Sequence, residues 1–453
     1  MTISVSRFAF LGALPILAGM AAAACSGGVQ ETTGSTSTGS GGSGGEATAS
    51  SSTTTTTSST TGSGGTGGML DNGMPSDMYP APHQPPPQVI NYGGPVLKAP
   101  KFVPVFFAND EPTIVGQAKD FTDKVGGTQY WLANVAEYGI GAATSTPPVD
   151  LTETAPANID DNDIQAWLAG KLNGDDPAWP AADSNTIYVL YYPAGTTITA
   201  QGAGSCTSFG GYHSNITLDA AHGSKDVAYA VIPRCDFFGD MTGIDAVTAT
   251  TSHELIEGAT DPYPMTNPAY ALMDEQHIYW LRILGGGETG DMCAQFDNAF
   301  TVFDELPYMV QRSWSNKAAK AGHDPCVPAL PNSVYFNAAP VLPDIFTANV
   351  FGQQATLRGV KIPLGETKTI DLQLFSDGPT NGPWQVEVVD AAALFGGQPR
   401  LDLSLDRDSG QNGEKLHLTI TVNSTGMNKT ESFIVHSTLG SQRNIWIGVV
   451  GSN

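Results

Sequence analysis

The stretch Ser252-His253-Glu254-Leu255-Ile256-Glu257-Gly258 puts one imidazole and two carboxylates within five residues. Residues four apart share a helix face, so His253 and Glu257 can hold one metal ion between them while Glu254 lies to the side, next to a metal-bound water. Zinc in such a place lowers the pKa of water toward about 7, and Glu254 becomes the general base, the catalytic residue of the set. Peptide hydrolysis is the natural reaction.

This is the spacing of an HExxH metallopeptidase helix with the second histidine replaced by glutamate, and a third ligand must arrive from elsewhere. Gly287-Glu288-Thr289-Gly290-Asp291-Met292-Cys293 is the best source. Glu288 is the expected ligand, and Asp291 the expected acceptor for the ring N–H of His253, fixing its tautomer. Asp261, Asp274 and His277 are rivals for the third position. One histidine with two carboxylates cancels the charge of a dication, so an oxygen-rich site of this kind admits manganese or calcium as well as zinc. The blander alternative is a solvated acidic helix face with a satisfied histidine. Against it stand the small Ala, Thr and Ser residues before His253, which leave room over the helix.

Cys206-Thr207-Ser208-Phe209-Gly210-Gly211-Tyr212-His213 forms a second cluster. His213 could ligate or stabilise an oxyanion, but a histidine in a Gly-rich turn beside a disulfide is more often structural, and that role is the expected one. Tyr263, His277 and Tyr279 are further candidates for stabilising a tetrahedral intermediate. Outside the low-complexity Ser/Thr/Gly stretch before residue 69, no G-x-S-x-G elbow, P-loop or dinucleotide fingerprint occurs.

Several elements must position these groups. Ile244 to Glu257 has helical spacing and is expected to stop at Gly258 and Pro262, while Ile164 to Leu172 predicts another helix. Phe102 to Phe107, Thr186 to Tyr192 and Val227 to Ile232 are apolar runs that suit buried strands. An α+β domain over 88–330 follows, with long Gly/Pro-rich loops. After Pro331 the pattern changes to period two, in Ile370 to Leu374, Trp384 to Val388, Leu401 to Leu405, Leu416 to Val422, Phe433 to Val435 and Ile445 to Val450. This predicts about seven antiparallel strands and an all-β, immunoglobulin-like sandwich over 331–453, a packing or spacer module first and a binding module second.

The N-terminus reads as an export signal over 1–24, with Arg7 before an apolar run and Ala22-Ala23-Ala24-Cys25 at its end. Cleavage before Cys25 leaves a cysteine at the new N-terminus, whose thiol can carry a lipid, so the expected location is a bacterial membrane, cell-surface or periplasm-facing, held through that lipid alone. Residues 25–87 comprise a Ser/Thr/Gly tether followed by a Pro-rich arm. A net charge of −24 argues against nucleic acid as a partner and leaves a peptide or protein as the expected substrate. Composition is silent on oligomeric state. Cys206, Cys235, Cys293 and Cys326 remain for two disulfides. Three pairings are possible, and proximity favours Cys206 with Cys235 and Cys293 with Cys326.

CTSFGGYH from Cys206, YAVIPRC from Tyr229, SHELIEGATDP from Ser252, GETGDMC from Gly287 and VQRSWSN from Val310 resemble, in order, the motifs of secreted bacterial and fungal HExxE proteins. More distantly they resemble the plant phosphate-induced or Exordium-like family. The resemblance spans about Pro100 to Val327. It implies a zincin-like exported domain, with His253, Glu254 and Glu257 on its active helix and Glu288, Asp291 and Cys293 on its downstream loop. It implies no substrate.

Overall fold

The computed structural model describes residues 70–452 except 175, 236, 239, 240 and 427, with backbone alone at 237 and 238. The export signal, Cys25 and the tether through 69 lie outside the described residues. The described chain is rich in β-structure, with several sheets and some helices.

A mixed sheet is built on β1 (Lys101–Phe106), β2 (Thr186–Tyr192), β3 (Tyr212–Thr217) and β4 (Asp226–Pro233). Strand β2 pairs in parallel with both β1 and β4, and β3 closes the edge antiparallel to β4. Both faces are covered, which is why the three parallel strands read as unbroken apolar runs. Ile187, Val189 and Tyr191 face α1 (Pro112–Val125), α2 (Gln129–Val135) and α4 (Ile244–Thr260). The alternate residues Tyr188, Leu190 and Tyr192 face α3 (Asp161–Leu172), which Asp160 caps through Asn162 N–H.

Helix α4 is buried on every side: all residues from Ala246 to Thr260 are inaccessible. Its run of Ala, Thr and Ser permits that, because small side chains let neighbours close in and the hydroxyls of Thr251 and Thr260 bond back to the carbonyls of Val247 and Ile256. Gly243 starts the helix at φ +55°, a conformation that disfavours a side chain. Gly258, expected as a stop, lies inside the helix, which ends at Thr260. Its role is close approach: a Cβ there would stand 2.5 Å from Ile187 Cδ1. Asp261 and Pro262 end the helix instead.

Helix α5 (Asp291–Ala294) and β5 (Leu306–Gln311) follow, and β5 crosses α4 where Gln311 N–H donates to Ser252 Oγ at 2.9 Å. Two disulfides join Cys206 to Cys235 and Cys293 to Cys326, the pairing that proximity favoured.

The remainder is a β-sandwich. One sheet has the order β6 (Phe336–Pro340), β9 (Thr367–Ser376), β13 (Lys415–Val422), β11 (Leu401–Leu405). The other runs β7 (Asp344–Val350), β8 (Gln353–Lys361), β15 (Gln442–Gly451), β14 (Thr430–Leu439), β10 (Trp384–Asp390), β12 (Ser409–Gly410). Leu416, Leu418, Ile420 and Val422 point inward, while Thr419 and Thr421 pair with Thr369 and Thr367 on the outer face. The Phe336 and Trp384 rings meet at 5.3 Å between the sheets.

The sandwich is not isolated. Trp280 packs against Trp446 at 5.8 Å, and the Tyr279 hydroxyl donates to the Thr430 carbonyl at 2.9 Å. The Pro-rich arm, expected only to lead into the fold, is stitched to the far end of the chain. The Asn412 side chain accepts from Ala81 N–H and donates to the Ser76 and Met78 carbonyls, while the His83 ring stacks on Phe375 at 3.7 Å.

Candidate metal centre

Seven ligand-type side chains converge beneath the exposed surface: His213, His253, Glu254, Glu257, Asp261, Glu288 and Asp291. Four elements deliver them. One face of α4 carries His253, Glu254 and Glu257, and the residue that caps its C-terminus, Asp261, follows one turn on. His213 comes from the edge strand β3, whose register sets it opposite Ala230 and so on the α4 side of the sheet. Glu288 comes from the loop before α5, and Asp291 is the first residue of that helix.

His253 Nε2 lies 3.0 Å from Glu257 Oε2 and 3.8 Å from Asp291 Oδ1. Its Nδ1 lies 3.0 Å from Gln311 Oε1. Because Gln311 Nε2 donates to the Gly290 carbonyl at 2.6 Å, its Oε1 is the acceptor, and the ring proton sits on Nδ1. Nε2 therefore faces the carboxylates, with a proton toward Glu257 when no cation is bound and a lone pair for a cation when one is. Glu257 Oε1 accepts from the N–H groups of Gly290 and Asp291 at 3.0 and 2.9 Å, leaving Oε2 to face the histidines. His213 stands on the other side, with Nδ1 3.5 Å from Glu254 Oε2 and 3.7 Å from Glu257 Oε2, and Nε2 3.7 Å from Glu288 Oε2.

These side chains are 0 or 1 % exposed, yet both His213 nitrogens, Glu254 Oε1, Glu257 Oε2, Asp261 Oδ2 and both oxygens of Glu288 and Asp291 make no hydrogen bond. Each such group costs about 1–3 kcal/mol, more when charged, and the cluster they form could hold a cation. Left to protons alone the cluster polarises. Burial opposes charge on His253, but Glu257, Glu254 and Asp291 raise it to about 10. Burial likewise opposes charge on Glu257, but His253 and His213 bring it down to about 2. Burial raises Glu254, drives Glu288 and Asp291 well above the carboxylate range with help from the Glu257 charge, and lifts Asp261 to about 6. A divalent cation removes the need for those protons.

Glycines make the crowding possible. A Cβ on Gly211 would sit 2.9 Å from Glu254 Oε1, and one on Gly286 would collide with the Asp291 carboxylate. Gly290 has ordinary helical φ, yet a Cβ there would lie 2.7 Å from His253 Nδ1 and 2.9 Å from Glu257 Oε1. Gly290→Ala is therefore expected to cost about 1–3 kcal/mol and to abolish stoichiometric metal uptake, read by thermal melting and elemental analysis. The Cys293–Cys326 bridge, two residues beyond Asp291, closes a separation of 33 residues. Replacing both cysteines by serine is expected to cost roughly 3–4 kcal/mol in denaturant unfolding and to weaken metal affinity by loosening this loop.

The expected residues are distributed differently from the sequence pattern. Asp291, assigned to the ring N–H of His253, faces Nε2, since its short helix starts on the carboxylate side; Gln311 takes Nδ1. The Gln311 role has no local signal in the sequence. Glu288 groups with His213 and Asp261, and Asp291 groups with His253 and Glu257. His213, expected to be structural, is inside the cluster. Asp274 and His277 are outside it, bonded to each other at 2.8 Å, with Asp274 also accepting from Gln88 N–H. Tyr263 is packed in the core beside α4, and the Tyr279 hydroxyl is used on Thr430.

No known family profile and no curated protein matches the chain. Among solved structures, domains 4 and 5 of the S-layer protein SbsC are 16 % identical over 25 % of this chain and 47 % of that one, with a TM-score of 0.16. The titin M3 domain is 9 % identical over 21 % of this chain and 88 % of that one, with a TM-score of 0.15. The chain thus spans about half the length of the S-layer fragment it matches. At these TM-scores neither likeness carries an inference.

Proposed function

We propose that this chain is an exported, lipid-anchored surface protein whose zincin-like α+β part is a metal-dependent hydrolase acting on peptide bonds, with the sandwich, immunoglobulin-like in plan, as an accessory module. The observation that carries it is the placement of Glu254. Its Oε1 is unbonded and buried beside a convergent His/carboxylate set on the same helix. His253, Glu257 and Asp291 would hold the ion, zinc first and manganese or calcium next given the two carboxylates. Such an ion supplies Lewis acidity and an acidified water. The chain supplies the rest. Gln311 holds His253 in the tautomer whose Nε2 faces inward, two backbone N–H groups pin Glu257, and Glu254 receives the proton at Oε1. Burial raises the affinity of Glu254 for that proton.

The test is turnover of unstructured protein and peptide mixtures by the metal-reconstituted chain. Cleavage that chelation abolishes and zinc restores is expected; stoichiometric metal without turnover would sink the hydrolase. A second function, a non-catalytic surface protein with a structural ion, is favoured by side-chain exposures of 1 % or less throughout the centre, since catalytic metals keep an open position. It predicts that same inactive but metal-loaded protein.

A further inference from the structure

Six of the seven groups fall into two sets that share no residue, and a third grouping, His213, Glu254 and Glu257, takes one member from each. His253, Glu257 and Asp291 form one triad; His213, Asp261 and Glu288 form another; in each, one ligand atom from every member lies within 4.8 Å of the others. Glu254 belongs to neither of these two sets. We infer that the centre is binuclear, with a second divalent cation held by His213, Asp261 and Glu288. The inference rests on the metal-centre reading above and extends it.

Three observations support a second position in place of a larger first one. The His213 ring stands between the sets: Nδ1 faces Glu254 and Glu257, while Nε2 faces Glu288 at 3.7 Å, with no hydrogen bond at either nitrogen. Asp261 is half-anchored. Its Oδ1 accepts from Ala269 N–H at 2.6 Å, which aims the unbonded Oδ2 inward, and both Glu288 oxygens are likewise buried without a donor. Charge gives the third. With all five carboxylates ionised and both imidazoles neutral the set carries −5, which two dications bring to −1; with one dication the carboxylates it does not bind must keep their protons. Each triad of one histidine and two carboxylates neutralises one dication. Glu257 Oε2, 3.0 Å from His253 and 3.7 Å from His213, lies between the two positions. A pair of ions on either side of a shared carboxylate is an arrangement suited to clamping a hydrolytic water and the carbonyl it attacks.

Zinc alone is the probe. The disulfide-intact chain is stripped by chelator, reloaded with excess zinc, desalted, and its zinc counted per chain for wild type, Asp261→Asn, Glu288→Gln and Asp291→Asn. Asp261→Asn keeps the oxygen that accepts from Ala269, and circular dichroism of each variant confirms folding. Two zinc ions in wild type, falling to one in each of the three variants and to none in the Asp261→Asn/Asp291→Asn double variant, are expected. One ion in wild type, lost in Asp291→Asn and kept in Asp261→Asn, overturns the binuclear centre and leaves the hydrolase proposal standing. Two ions retained in both Asp261→Asn and Glu288→Gln also overturn it. No zinc in folded wild type removes both.

Discussion

Glu254→Gln is expected to lower hydrolysis by about 10²- to 10⁴-fold while metal content stays at the wild-type level. The amide matches the carboxylate in size, so the pocket against Gly211, where Oε1 lies 2.9 Å from the position of a Cβ, remains filled. What changes is proton affinity: an amide oxygen does not take a proton from water at neutral pH. Each proposed ion keeps its own three ligands, although Glu254 also lies within ligand distance of His213 and Glu257. Removing one of five crowded carboxylates also relieves repulsion with Glu257, so the melting temperature should hold or rise. Initial rates and zinc content measured on one preparation decide the matter. A loss of rate accompanied by loss of metal would make Glu254 a ligand, and an unchanged rate would remove it from the chemistry.

Chelation is expected to lower the melting temperature at pH 7 by about 10 °C, and the deficit should depend on pH. A metal present at a thousand times its Kd adds about 4 kcal/mol, at roughly 2–4 °C per kcal/mol for a protein of this class. In the stripped protein Asp261 is raised from 3.8 to about 6, so the folded state binds that proton more tightly than the unfolded state. Stability from this group is full below pH 4 and declines as pH rises to 6, by about 3 kcal/mol at most. Glu254, Glu288 and Asp291 are shifted in the same direction. Glu257, lowered from 4.5 to about 2, acts oppositely, its contribution being lost as pH falls toward 2. The chelated protein should thus be most stable near pH 4, and added zinc should help more as pH rises, where fewer protons compete for the ligands. Melting curves with and without chelator across pH 3 to 8 read both trends; coincident curves would contradict a bound cation.

The strands of the mixed sheet were legible because apolar runs bounded by turns have few other uses, and β2 falls on its expected residues, Thr186–Tyr192. The alternation from Ile370 onward likewise announced a sandwich. Four of its strands were not legible. Phe336–Pro340 is rich in Ala and ends in Pro, Ser409–Gly410 is two residues long, and the adjacent hairpin of Asp344–Val350 and Gln353–Lys361 alternates through small residues such as Ala348, Ala355 and Gly359, which signal burial weakly. The arm over 70–87 looked like a leader because nothing local reveals that Asn412 will tie it down. In the centre, the spacing of His253, Glu254 and Glu257 was readable from helix geometry alone. Which of Glu288 and Asp291 would join them was not, because that turns on where α5 begins. His213 was misjudged for a related reason: an edge-strand histidine shows its role only when register places it over another element.

The most direct test of the metal centre is anomalous diffraction at the zinc absorption edge from crystals of the zinc-loaded chain. The expected result is density bounded by His253 Nε2, Glu257 Oε2 and Asp291 Oδ1, with a second peak bounded by His213, Asp261 and Glu288. Absence of any anomalous peak among these residues in fully loaded crystals, with the carboxylates paired to one another through protons, would contradict the account at its centre.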